Sequence, residues 1–235
     1  LGASESMRSK LAEYNDPRLS RAFITKQGAS GKEQAPGTAD NAVYAPNGSP
    51  EQGTSKYGTS LFMYSISAPT LLLSYHELKF LEAEALCRLG RDAKSALKDA
   101  VVAGLLNAEN SFSVSRKELG KTLINPASSI TDTEAESYFD NTVEAKYTAE
   151  PLKTTMTQKY FALWGASGEA TESYNDVRRM KGLGENFIEL KNPNSFPLRC
   201  PYGNSDTTTN AEVKAAYGNG QYVYSENVWW AGGSR

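Results

Sequence analysis

The sequence predicts a mainly α-helical protein built on helical hairpins that carry long irregular loops. Three observations lead there. Residues 69–106 read as two amphipathic helices about a tight turn, and residues 130–181 repeat the helical periodicity behind clear start signals. No strong pair of strand segments appears, while 19 Gly and 10 Pro in 235 residues point to much connecting chain.

The hairpin carries the clearest pattern. Leu71, Tyr75, Leu78, Leu81, Ala85 and Leu89 recur at steps of three or four, which places them on one face of a helix. That bulky stripe is expected to anchor the later helices. Gly90 supplies a left-handed helix end, and Asp92 is placed to cap the next helix. This second helix has a thinner stripe of small residues: Ala93, Ala96, Leu97, Ala100, Val101 and Gly104. A bulky face followed by a small-residue face lets two helices lie close and antiparallel, the build of a tetratricopeptide-type hairpin. Such a unit is framework.

The remaining elements are taken in chain order. Residues 1–68 form an extended and loop region. Within it Asp16-Pro17-Arg18-Leu19 is a turn leading into a short extended run, Leu19 to Thr25. Residues 27–58 are a long Gly, Ser, Pro, Ala, Asn and Thr loop whose large apolar or aromatic residues are Val43, Tyr44 and Tyr57. Leu61 to Ile66 reads as buried, extended chain. Residues 107–125 are ambiguous, ending at the break Asn125-Pro126. Thr131-Asp132-Thr133-Glu134 is a capping box for a helix with Ala135, Tyr138, Phe139, Thr142, Val143 and Tyr147 inward. Pro151 suits a first helical position and opens a helix bearing Leu152, Met156, Tyr160, Leu163 and Trp164, closed by Gly165. A shorter helix runs from Glu169 to Met180. Residues 182–235 form a loop-rich wrap with one more helix at Ala211–Tyr217. Trp229 and Trp230 are adjacent and on extended chain point to opposite sides.

The chemistry-bearing residues exclude more than they propose. A net charge of −2 with interspersed signs gives no case for nucleic acid or a polybasic membrane patch. His76 is the sole histidine; on the polar side of its helix it reads as a surface residue, and without partners it supports neither a metal site nor a catalytic triad. No cofactor is expected. Cys87 reads as a small core residue, and nothing in the spacing pairs it with Cys200. The carboxylates Glu77, Glu82, Glu84, Glu169, Glu172 and Asp176 raise a glycosidase, which needs two carboxyls facing across a cleft. Acidic residues at helical spacing are more often a solvated face. Asp176, Arg178 and Arg179 read as an internal clamp between helices, and Trp164 as core. Residues 203–210 are oxygen-rich turn chemistry without the spaced acids of a calcium loop. Leu1 is not a natural start, so a fragment of a longer chain is expected.

Several stretches, in order, resemble the C-terminal half of SusD/RagB-type outer-membrane lipoproteins. They are Asp16-Pro17-Arg18-Leu19; Pro69 to Leu78 running into Glu82-Ala83-Glu84-Ala85; Met156-Thr157-Gln158-Lys159-Tyr160-Phe161-Ala162-Leu163; Tyr174-Asn175-Asp176-Val177-Arg178-Arg179; Phe196-Pro197-Leu198-Arg199 through Tyr202, then Asn210; and Val228-Trp229-Trp230. Tyr174 stands where tryptophan is common, and Gly203-Asn204 replaces the usual Pro and Glu. The resemblance implies a SusD-like domain, of which residues 1–235 are the C-terminal part, with loops on one face. It implies a non-catalytic binder of glycan or peptide nutrients at the cell-surface side of the outer membrane. Such a protein is lipid-anchored through an N-terminal segment and seated on a SusC-like TonB-dependent transporter. Further partners are its own N-terminal half and an oligosaccharide or peptide ligand. Stacking on sugar faces makes the loop aromatics Tyr44, Tyr57, Tyr202 and Tyr222 the ligand-binding candidates. The alternatives are a tetratricopeptide-type protein–protein scaffold and a carboxylate-pair glycosidase.

Overall fold

The structure is a computed structural model and describes residues 3–27, 33–37, 44–47, 56–191 and 195–233. Two compact units divide the chain, Leu1–Lys191 and Asn192–Arg235. The long loop at 27–58, with Val43, lies mostly outside the described residues.

The first unit opens with α1 (Glu5–Glu13), started by Ser4, whose hydroxyl accepts from the Met7 N–H. A three-stranded sheet comes next in the order β2-β1-β3, with β1 at Phe23–Gln27, β2 at Glu33–Pro36 and β3 at Thr59–Ser60. Both pairings are antiparallel, and Ile24 faces Pro36 on one side and Thr59 on the other. This sheet corrects the expectation of no strong strand pairs. Its strands are only five, four and two residues long, too short to show a clean alternation. The extended run also starts later than expected, because Arg18 to Ala22 is a turn closed by the Ala22 N–H on the Arg18 carbonyl. Leu61–Tyr64 is a tight 3₁₀ turn that buries Leu61, with Met63 and Ile66 exposed, in place of the buried extended chain the apolar run predicts.

The hairpin is present as α2 (Tyr75–Arg88) and α3 (Lys94–Leu119). Ser74 caps α2 by accepting from Glu77, and Gly90 turns the chain at φ +67°. The second helix is 26 residues long and absorbs most of the ambiguous stretch after 106. Its small stripe is buried as expected, from Ala96 to Gly104, and the face continues through Leu105, Ala108 and Phe112. A Cβ on Gly104 would stand 2.9 Å from the Ala162 methyl, so glycine lets α3 approach its neighbour this closely.

The bulky stripe of α2 is a correction. Tyr75, Leu78, Leu81, Ala85 and Leu89 are exposed, and the buried face is His76, Glu77, Phe80, Ala83 and Glu84. Periodicity fixes which residues share a face. It does not say what that face meets.

Then come α4 (Asp132–Tyr138), a π turn over Phe139–Val143, α5 (Glu144–Ala149), α6 (Pro151–Leu163) and α7 (Glu172–Gly182). The Thr131 hydroxyl accepts from Glu134, as the capping box predicts. The central helix is α6, packed against α2, α3, α5 and α7, with Thr154 through Lys159 and Phe161 through Leu163 all buried. Its polar side chains are therefore enclosed and need partners. The core gathers Phe23, Phe80, Phe112, Phe139 and Phe161. Trp164 packs on this core, 5.1 Å from the Phe62 ring and 5.4 Å from Phe23.

The second unit holds α8 (Asn204–Thr209), α9 (Ala211–Tyr217) and α10 (Tyr222–Ser225). Asn210 starts α9 by accepting from Glu212 and Val213. The Leu198 N–H bonds the Val223 carbonyl and ties the Pro-flanked segment to α10.

Candidate functional site

The Asp16-Pro17-Arg18-Leu19 turn builds inward. Asp16 and Arg18 are both buried, with Nε to Oδ1 at 2.8 Å and Nη2 to Oδ2 at 2.6 Å. The Arg18 Nη1 donates to the Phe161 carbonyl at 2.7 Å, a second bond on an acceptor at the end of α6 that also takes the Trp164 N–H. This motif holds the first turn of the chain to the central helix.

A second charged assembly joins α2, α6 and α7 around an open polar cleft of about 480 Å³, lined by Glu77, Leu81, Glu84, Lys159, Asp176 and Arg179 among others. Glu84 accepts from both terminal nitrogens of the Arg179 guanidinium, the Nη2 to Oε2 bond being 2.8 Å, and from Arg88 Nε at 2.7 Å. Arg88 also grips Glu185 through two bonds of 2.7 and 2.9 Å. Asp176 accepts from Arg179 at 2.8 Å and pairs with the buried Lys159 at 2.8 Å. Burial pushes the Glu84 carboxyl up, but the bonds from Arg179 and Arg88 outweigh it and hold the carboxyl below its ordinary range. Asp176 and Arg179 thus link α7 to α2 and α6, while Arg178 lies over the Tyr174 ring at 5.5 Å.

Beside this network His76 is buried, not on the surface as its helical position predicts. Its Nε2 stands 3.5 Å from Glu169 Oε2, and Glu169 also accepts from the Ser74 N–H. Burial pushes the His76 imidazole below its ordinary value, toward the neutral form. The Glu77 carboxyl is pushed from 4.5 up to about 7, first by burial and then by its interaction with the neighbouring Glu169 carboxylate. Among the described residues no cluster of His, Cys, Asp and Glu is arranged to hold a metal ion.

The four tyrosine candidates separate. Tyr44 is half-buried, edge-on to Phe23 at 5.2 Å under the Arg8 guanidinium. Tyr57 is buried, with the Lys56 ammonium over its ring at 4.9 Å. Tyr202 and Tyr222 come together in the second unit, where the Tyr202 N–H donates to the Tyr222 hydroxyl at 2.6 Å. Tyr217 joins them, 4.4 Å from Tyr202 and 4.9 Å from Tyr222 between ring centroids. The Arg199 guanidinium lies 5.4 Å from the Tyr202 ring and 5.3 Å from Tyr222, with its Nε and Nη1 buried and lacking hydrogen-bond partners. Tyr202 remains 39% exposed, and the same unit exposes Tyr224 and Trp229. Tyr217 and Arg199 escape the sequence reading, because a helix and a Pro-flanked loop bring them in; aromatic content near Tyr202 is the only signal. Cys87 and Cys200 are both free thiols.

The comparisons decide the family. The profile of SusD-like proteins described as "Starch-binding associating with outer membrane" matches residues 2–202. This chain belongs to the SusD-like family. Its fold matches a SusD/RagB family protein from Bacteroides thetaiotaomicron at 66% identity and TM-score 0.90, covering 100% of this chain and 50% of that one. A SusD homologue from Bacteroides fragilis matches at 18% identity and TM-score 0.53, covering 95% and 50%. An outer membrane protein from Bacteroides vulgatus, to which nutrient binding is ascribed, matches at 23% and 0.58 over the same shares. The last two support the fold alone. The chain spans half the length of each. No protein of curated function matches. The mainly helical architecture and the outer-membrane nutrient-binding family both agree with the sequence reading, and no helix among the described residues is long and apolar enough to cross a membrane.

Proposed function

We propose that this chain is part of a non-catalytic binder that captures glycan at the cell surface and passes it to a SusC-like TonB-dependent transporter. Family membership supports the role, and the tyrosine cluster of the second unit supports a sugar ligand. Tyr202, Tyr217 and Tyr222 meet around Arg199 within 6 Å of one another. A tyrosine ring face stacks on the C–H face of a pyranose, while hydroxyls and backbone groups of the loop bond its hydroxyls. Tyr222 is buried and supports the platform by bonding the Tyr202 backbone. Tyr44 and Tyr57, held by core contacts, serve the scaffold better than the ligand. Lipid anchoring through a preceding segment completes the proposal.

Affinity electrophoresis through soluble starch and a panel of polysaccharides tests it, on polypeptide restored to the length of the relatives. The expected result is retardation by at least one glycan, with Tyr202→Ala weakening binding by about 1 kcal/mol, or roughly fivefold. Retardation by no glycan, with binding to a peptide library, moves the ligand to peptides. Reducing-sugar release on long incubation overturns the non-catalytic reading.

A further inference from the structure

In the second unit the fold leaves one guanidinium, that of Arg199, without an acceptor. Arg199 is half-buried, its Nε and Nη1 are closed off from solvent, and neither donates a hydrogen bond. Among the described residues no carboxylate or carbonyl bonds it. Its contacts are the rings of Tyr202 and Tyr222, 5.4 and 5.3 Å from the guanidinium carbon. The first unit treats its arginines differently: Arg8, Arg18, Arg21 and Arg116 are buried or half-buried, and each pairs with a carboxylate. Ring faces attract a cation and fix its plane, yet they carry no formal charge, so the positive charge of Arg199 stays uncompensated.

Buried donors without an acceptor are costly, and a charged one is the more so. With Nε and Nη1 closed off, Nη2 is the nitrogen that a ligand can reach. Tyr202 is the most open ring of the cluster, whereas Tyr217 is half-buried and Tyr222 buried. We propose that this cluster selects acidic glycans, Arg199 Nη2 donating to an anionic oxygen carried by a sugar that rests against Tyr202. The sugar ring meets the aromatic surface, and its charged substituent meets the guanidinium beside it. Such a charge-assisted bond, partly shielded by three rings, is stronger than the same bond at an open surface. A uronic acid carboxylate and a sulfate ester both offer the required oxygen. The inference rests on the glycan reading above and narrows it.

The test is affinity electrophoresis of polypeptide restored to the length of the relatives. Two acidic polymers are each set against a neutral counterpart: polygalacturonate against its carboxyl-reduced form, and dextran sulfate against dextran. At least one acidic polymer is expected to bind roughly tenfold or more tightly than its counterpart, and the pair that shows this tells carboxylate from sulfate. Arg199→Gln is expected to abolish the preference, and Arg199→Lys, which keeps the charge, to retain part of it. Lys121→Gln removes an equal charge from the exposed surface of the first unit and is expected to leave the preference intact. The comparison between polymers needs no variant, so a misfolded Arg199→Gln does not spoil it. Binding to neutral glycans with no acidic preference overturns this proposal and leaves the glycan reading standing; binding to no glycan overturns both. An acidic preference that survives Arg199→Gln, with Tm lowered by several degrees, makes Arg199 a structural partner of the rest of the polypeptide and also sinks the assignment.

Discussion

Arg18 and Asp16 are a charged pair that the core has absorbed, 2% exposed each, with the guanidinium extended to the end of α6. Removing one partner strands the other charge without water. Arg18→Met is expected to cost about 3–5 kcal/mol in urea unfolding, far more than Lys153→Met, which breaks the surface pair Lys153–Glu150. Glu77 works the other way. Its folded pKa is raised from 4.5 to about 7, so the folded state holds the proton more tightly than the unfolded chain. The stability this contributes is full below about pH 4.5 and is lost as pH rises through about 7. Glu77→Gln keeps a donor toward Glu169 and cannot ionise. It is expected to flatten that window and to gain on the order of 1–3 kcal/mol at pH 8 relative to the unmodified chain, measured by denaturation at several pH values. Neither residue announces its state in the sequence. Arg18 lies in a polar turn, and the Glu77 environment depends on Glu169, 92 positions away.

Among the elements, the hairpin is legible in position and pairing but not in orientation. Caps, the Gly90 turn and the small stripe of α3 are local signals, and each can be read from its own residues. The outward stripe of α2 cannot, because an amphipathic period looks the same whether its partner lies in this chain or elsewhere. His76 is buried for the same reason: turning the helix over exchanges its faces. The sheet stays hidden because its strands are only two to five residues long and show no clean alternation. At the α3–α6 contact, Gly104→Val places a branched side chain against the Ala162 methyl. A loss of about 1–3 kcal/mol is expected by thermal or urea unfolding, with helix content retained. Gly90→Ala is milder: the space is open there, and only the left-handed backbone, φ +67°, resists the substitution.

At the scale of the whole molecule, the family is legible because its motifs mark framework contacts. Asp16 and Arg18 fasten the first turn to α6, Glu84 and Asp176 meet Arg179, and Phe161 closes on Tyr14 edge-on at 5.3 Å. Residues that build a scaffold recur in order along a chain, so a sequence carries them far. The candidate binding surface is only half legible. Arg199 lies three residues before Tyr202 and Tyr217 five before Tyr222, but the two pairs are 15 or more residues apart and meet only through the fold, helped by the Leu198–Val223 backbone bond. A ligand platform of this kind is assembled by loops, and loops carry little periodic signal.

The π turn at Phe139–Val143 has a consequence for how this fold tolerates change in length. A π turn holds one residue more than the helical ladder requires and confines the excess to a single bulge. The helix on either side keeps its inward residues, from Ala135 and Tyr138 before it to Tyr147 after it. Tyr147 can therefore still bond Asp92 and the Ala93 N–H at the hairpin turn. Deleting the exposed Asn141 should return the segment to a regular helix with those bonds intact. The surplus residue is a length buffer, a place where chains of the family can differ by one without moving the hairpin.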